Sequence, residues 1–193
     1  SLRLGAEAGV ARYSMLDWYD ARTPMPDNYR YLPSYTDDLE TERAWLTRDP
    51  RYTQIDWDEL IRRNRMQGGH AVYALDDRVE RPVRFCLDAA FSVRTDSRLT
   101  LRCGVSLRSD RTRFYRQMRD LLGAGYVTDI DRYLVDDDTY SNLLQNDLRH
   151  PDRTIREGDR FGYDYAIRSR EIRARFCAEY RSDRFRFDLC AEL

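Results

Sequence analysis

Histidine, cysteine and carboxylate are the residue types from which this chain could build a reactive centre, and their spacing argues against the common ones. His70 and His150 stand far apart, and neither has a second ligand at metal-binding spacing. CxxC, HExxH and Cys–His clusters are all missing, which speaks against a structural zinc. His150 precedes Pro151, the pattern of an exposed turn. No Gly-rich phosphate loop is present either: Gly68-Gly69 and Gly123-Ala124-Gly125 follow helix-like stretches and read as helix stops. The acidic run Asp136-Asp137-Asp138 lacks the alternation of a calcium loop and reads as the cap of a following helix. No catalytic, cofactor-binding or metal-binding residue is assigned, and no cofactor is expected.

The four cysteines, Cys86, Cys103, Cys177 and Cys190, are all disulfide candidates. They suit two bridges in an oxidising compartment, or free thiols in a cytosolic one. Their placement depends on the strands that carry them. From Glu171 to Leu193 the chain reads EIRARFCAEY, RSDR, FRFDLCAEL. A two-residue turn at Ser182-Asp183 sets Tyr180 opposite Phe185, Phe176 opposite Leu189 and Ile172 opposite Leu193. The same register sets Arg173 opposite Glu192 and Glu179 opposite Arg186. Apolar meets apolar and charge meets opposite charge, the signature of an antiparallel hairpin. Here Cys177 faces Asp188 and Cys190 faces Arg175, so a bridge within the hairpin is strained, and partners from Cys86 and Cys103 are preferred.

A second hairpin is expected upstream. Val83, Phe85, Leu87, Ala89, Phe91 and Val93 share one face, as do Leu99, Leu101, Cys103, Val105 and Leu107 after a turn near Asp96. Cys103 points to the apolar face and Cys86 to the opposite one, so these two cannot pair with each other in this register. The charges alternating with the apolar positions, among them Arg84, Asp88, Arg102, Glu179 and Arg186, fit a solvated outer face with cross-strand ion pairs better than an ionic tunnel. Packing the apolar faces of the two hairpins together gives a two-sheet sandwich.

The remaining elements are shorter. Residues 1–50 read as extended segments and turns, with prolines at 24, 26 and 33. Trp18, Tyr19, Tyr29, Tyr31 and Tyr35 make this stretch a candidate partner-binding surface, or else an aromatic layer packed on the sheet. Asp37 with Glu40, and Asp56 with Glu59, cap two short helices. A short strand, 70–75, turns at Asp76-Asp77. Asp110 caps a helix carrying Tyr115, Met118 and Leu122. A strand follows over 126–135, then a helix over 138–148, then a strand from Tyr163. The whole is expected to be one domain, with residues 1–69 as an irregular and helical extension on a β-sandwich core over 70–193.

Composition sets the outer limits. The chain has 193 residues, is 41% hydrophobic and 35% charged, and carries a net charge of −1. Bulk charge gives no case for nucleic acid or an anionic membrane. No stretch approaches the roughly 20 apolar residues of a membrane span, so any anchor is expected beyond this sequence, after Leu193. All 33 basic residues are arginine, consistent with GC-rich coding, with selection against ubiquitin acceptor sites, or with engineered replacement. No Asn-x-Ser/Thr glycosylation site occurs.

The β-rich pattern, the four cysteines on two long hairpins, the aromatic N-terminal stretch and the Phe176-Cys177 step in RARFCAEY resemble the luminal domains of betaherpesvirus immunoevasin glycoproteins, in the mouse-cytomegalovirus family that binds MHC class I. Trp18, Trp45 and Trp57 all precede Cys86, unlike the immunoglobulin pattern, in which a tryptophan follows an early cysteine. The resemblance implies a variant immunoglobulin-V-like antiparallel β-sandwich with short inserted helices. It also implies a membrane anchor after the domain, residence in the endoplasmic reticulum lumen or at the cell surface, and non-enzymatic binding of host MHC class I. Two other readings stay open. One is a lysine-free toxin of the ADP-ribosyltransferase type using Arg168 or Arg170 with Glu171 or Glu179. The other is a cytosolic bacterial adaptor with four free thiols.

Overall fold

The computed structural model describes residues 1–19, 21–131 and 144–193. The expected strand end at 132–135, Asp136–Asp138 and most of the expected 138–148 helix lie outside the described residues.

The chain is mainly β, with a few short helices. Six strands form one antiparallel sheet, in the order β1-β3-β4-β7-β8 with β2 also paired to β3. They are β1 (Leu2–Ala8), β2 (Ala11–Trp18), β3 (Tyr73–Arg94), β4 (Leu99–Asp120), β7 (Arg160–Arg181) and β8 (Arg186–Glu192). A separate ribbon pairs β5 (Val127–Thr128) with β6 (Thr154–Ile155). The two long hairpins therefore join side by side, β4 next to β7, in one sheet.

Several elements differ from expectation. β1 and β2 occupy a stretch read as irregular, although Leu2, Leu4, Ala6 and Ala8 alternate as a strand requires. β3 continues straight through Asp76-Asp77, where a turn was expected. β4 absorbs the helix expected from Asp110. Of the two capping pairs, Asp56 caps α4 (Trp57–Met66) by accepting from the Glu59 backbone N–H at 3.0 Å. α2 (Leu39–Leu46) is capped by Asp38 rather than Asp37, which instead ends α1 (Pro33–Thr36) in a left-handed conformation. α3 is the single turn Pro50–Thr53.

The chain divides into two compact units. Unit 1 comprises Ser1–Ala11, Val79–Phe114 and Tyr165–Leu193; unit 2 comprises Arg12–Arg78 and Tyr115–Asp164. β3, β4 and β7 each contribute residues to both.

Unit 2 has a conventional interior. One cluster gathers Ala71, Ala74, Met118, Leu121, Val127 and Ile155; another gathers Leu60, Tyr73 and Leu122, with Leu16 and Trp18 packed against it. Asn64 of α4 is fully buried. Its Nδ2 donates to the carbonyls of Tyr73 at 2.7 Å and Leu121 at 2.8 Å. Its Oδ1 accepts from the N–H groups of Val72 and Tyr73, both at 3.0 Å. One side chain thus satisfies backbone groups on two separate segments, as a buried amide must.

Candidate functional site

Two features stand out: a cavity in unit 2 and an uncovered sheet face in unit 1.

The cavity, about 620 Å³, is lined by β2 residues including Asp17 and Trp18, with Arg78, Arg116, Asp129 and Phe161. Its carboxylates are already engaged. Arg116 binds Asp76 through Nε and, at 3.1 Å, through Nη2, which also donates to Asp17 at 2.9 Å. Its guanidinium carbon lies 4.6 Å from the Phe161 ring centroid. Desolvation works against the Arg116 cation, but the hydrogen bond to Asp76 and the charges of Asp76 and Asp17 outweigh it and raise its pKa further. Asp129, almost fully buried, accepts from Asn146 at 2.9 Å and from the Gly162 N–H at 3.1 Å, and pairs with Arg153 at 3.2 Å. Asp77 accepts from Ser14 at 2.7 Å and from Arg12 at 3.3 Å. These acids serve the fold: each carboxylate is held by donors from distant segments. Among the described residues, no group of three or more His, Cys, Asp or Glu is placed to hold a metal ion.

Unit 1 is built differently. All of its residues are described, and Val79 alone among them is buried. The register of its sheet explains why. β1 pairs with β3 as Leu4↔Leu87 and Ala6↔Phe85, and β7 pairs with β8 as Ala178↔Leu189 and Tyr180↔Phe187. On the opposite face Ser106 donates to Asp88 at 2.6 Å, joining β4 to β3, and Arg102 pairs with Glu179 at 3.0 Å, joining β4 to β7. Alternation then places the apolar positions of all five strands on one face. That face is open: Leu4 is 70% exposed, Phe85 58%, Phe91 67%, Val105 46%, Phe176 45% and Leu189 72%. No Asp, Glu, Arg or His stands on it over 2–8, 83–93, 99–107, 172–180 or 187–193.

The terminal hairpin is shifted by two residues from the expected register. Cys177 lies opposite Cys190, and Arg175 opposite Glu192. A two-residue turn needs positive φ, and neither Ser182 nor Asp183 adopts it. The loop spans four residues instead, closed by Ser182 N–H to Phe185 O at 2.8 Å. A two-residue shift preserves parity, so both faces keep their expected character. It changes the cysteine chemistry: Cys177 and Cys190 form a disulfide, while Cys86 and Cys103 are free. Bridges between the hairpins, preferred on sequence, are thereby corrected. The shift also sets like charges opposite each other, Glu179↔Asp188 and Arg181↔Arg186. The attraction runs diagonally, from Arg186 to Glu179 at 3.2 Å.

The five aromatic candidates separate into two groups. Trp18 and Tyr19 are half-buried and line the cavity. Tyr31 is half-buried, accepts from Arg22 Nε at 2.7 Å and donates to the Thr23 carbonyl at 3.1 Å. Tyr29 and Tyr35 are exposed and meet edge to face with ring centroids 5.3 Å apart. Arg168, Arg170, Glu171 and Glu179 lie along β7 and do not line the cavity; Glu179 is paired with Arg102 and Arg186. The histidines are not brought together: His70 packs edge-on against Tyr126, and His150 Nδ1 lies 2.8 Å from Asp147. Among the described residues no helix is long and apolar enough to cross a membrane.

Sequence alternation carried the signal for the apolar face. Nothing local revealed the Asp76–Arg116–Asp17 network, because its members come from three separated segments.

Compared with protein-family models, with curated proteins and with solved structures, the chain matches none.

Proposed function

We propose that this chain is a non-enzymatic interaction protein that associates through the apolar sheet face of unit 1 and meets its host target through the exposed Tyr29–Tyr35 pair of unit 2. The observation that carries the reading is a five-stranded sheet with one buried residue and an exposed apolar face that bears no charged side chain over 2–8, 83–93, 99–107, 172–180 and 187–193. A contiguous apolar patch of this extent on a folded chain marks a surface used for association. The disulfide between Cys177 and Cys190 supports residence in an oxidising compartment.

In its specific form the reading follows the resemblance to betaherpesvirus immunoevasins. The host target is an MHC class I molecule met in the endoplasmic reticulum lumen or at the cell surface. The exposed Tyr29–Tyr35 pair supplies rigid aromatic anchors for it, and the immunoglobulin-like sandwich is completed by a second layer on the open face. Immobilised protein tested against a panel of MHC class I alleles at micromolar concentration should show saturable binding that Tyr29→Ala with Tyr35→Ala removes. Failure to bind any allele retires the MHC class I form, and leaves the open face to the association test below.

A further inference from the structure

We infer that the occupant of the open face is a second copy of this chain, packed face to face to make a two-layer sandwich across a two-fold axis. The inference rests on the reading of that face as an interface.

Three observations select a second copy. The first is area. Five strands about 4.8 Å apart, each contributing about nine residues at about 3.3 Å, present roughly 700 Å². Two such faces remove about 1,400 Å² from water, within the range of about 1,200–2,000 Å² for stable specific complexes. The second is charge. In a two-fold interface each residue meets residues from the same set, so a face carrying charge risks meeting its own sign. Over the stretches named above, the acids and arginines stand on the other face, as the Arg102–Glu179 and Arg84–Glu7 pairs show, and arginines that alternation puts on the apolar side, such as Arg81 and Arg111, lie beyond them at one end of the patch. The third is symmetry. β4 is the central strand of the five, with two strands on each side. A two-fold axis through β4 sets each flanking strand over a flanking strand of the other copy, with Val105 and Cys103 near the axis. Aligned sheets pack about 10 Å apart with apolar side chains interleaved, the layering expected from the sequence but assembled from two chains.

The test is the mass of the full chain in solution by sedimentation and light scattering at micromolar concentration. Wild type should run at twice the 23.1 kDa chain mass. Val105→Arg and Phe91→Arg should give monomers, whereas Arg102→Ala on the opposite face should stay dimeric. Maleimide should label Cys103 slowly in wild type and quickly in Val105→Arg, and label Cys86 alike in both. These substitutions fall on exposed positions, and circular dichroism checks that each variant folds; a variant that unfolds is replaced by Phe187→Arg on β8.

A wild-type monomer that binds an apolar dye strongly, with the dye lost on Val105→Arg, overturns the second copy but keeps an open interface for another protein or a lipid surface. A monomer that neither binds dye nor responds to Val105→Arg overturns both readings. A dimer insensitive to Val105→Arg and dissociated by Arg102→Ala places the contact elsewhere and overturns the face-to-face arrangement.

Discussion

Unit 2 encloses what it needs, and unit 1 does not. In unit 2, Asn64, Asp76 and Asp129 are buried, and donors or acceptors from remote segments satisfy each of them. Unit 1 has five strands to work with, yet buries only Val79. The same long strands serve both. What differs is the second layer: α4 and the loops around it cover the strands in unit 2, and no segment of unit 1 covers its apolar face. An uncovered face of this kind leaves the largest favourable term in folding unused, and the proposed association would recover it.

The comparison predicts that substitutions in unit 2 act on folding and those on the unit 1 face act on association. The largest effect is expected from Asn64→Leu. It leaves buried backbone groups of Val72, Tyr73 and Leu121 without partners and should cost about 5 kcal/mol in urea denaturation. A cost below about 1 kcal/mol would mean water replaces the amide, and would weaken the contrast between the units.

Asp76→Ala comes next. It strips Arg116 of its bidentate partner and should cost about 3–4 kcal/mol, measured in the same way. Asp76→Asn should recover part of that loss, since the amide oxygen still accepts one hydrogen bond.

In unit 1 the terminal hairpin relies on its disulfide. The bridge closes a loop with a sequence separation of 13, which the chain-entropy model values at about 3 kcal/mol. Cys177→Ala with Cys190→Ala should lower the denaturation midpoint accordingly. Alkylation followed by intact mass should count two reactive cysteines before reduction and four after it.

The smallest effect is acid loosening of α2. The Thr41 hydroxyl, then the backbone N–H groups of Glu40 and Thr41, hold the Asp38 carboxyl below the usual carboxylate range. A depressed carboxylate contributes stability above its unfolded pKa and loses it as pH falls through the folded one. Helix signal from α2 should therefore weaken at acid pH, and Asp38→Ala should remove the pH dependence; NMR titration of the Glu40 and Thr41 amides reads both.

How much of this was legible in the sequence follows from the same contrast. Where one face of a strand is open, alternation survives. Thus Phe85 to Val93, Leu99 to Leu107 and the terminal hairpin announced their faces correctly, even though the hairpin register was two residues off. Where both faces are covered, alternation disappears. Tyr115 and Met118 differ in parity yet are both buried in unit 2, so this part of β4 imitates a helical stripe. Asp76-Asp77 carried turn residues, and only arginines and a serine from other segments make a strand there tolerable. The disulfide was missed for a local reason: its pairing depends on a loop two residues longer than the shortest turn.

The covering of the apolar face can be read most directly from the chain's own free thiols. In the single chain Cys103 is exposed on the apolar face, and Cys86 is half-covered on the other. Alkylation rates of both should be measured by peptide mass across a range of protein concentrations. Cys103 should be the slower thiol, with protection that grows as concentration rises while Cys86 stays constant. Cys103 reacting faster than Cys86 at every concentration would contradict a covered face.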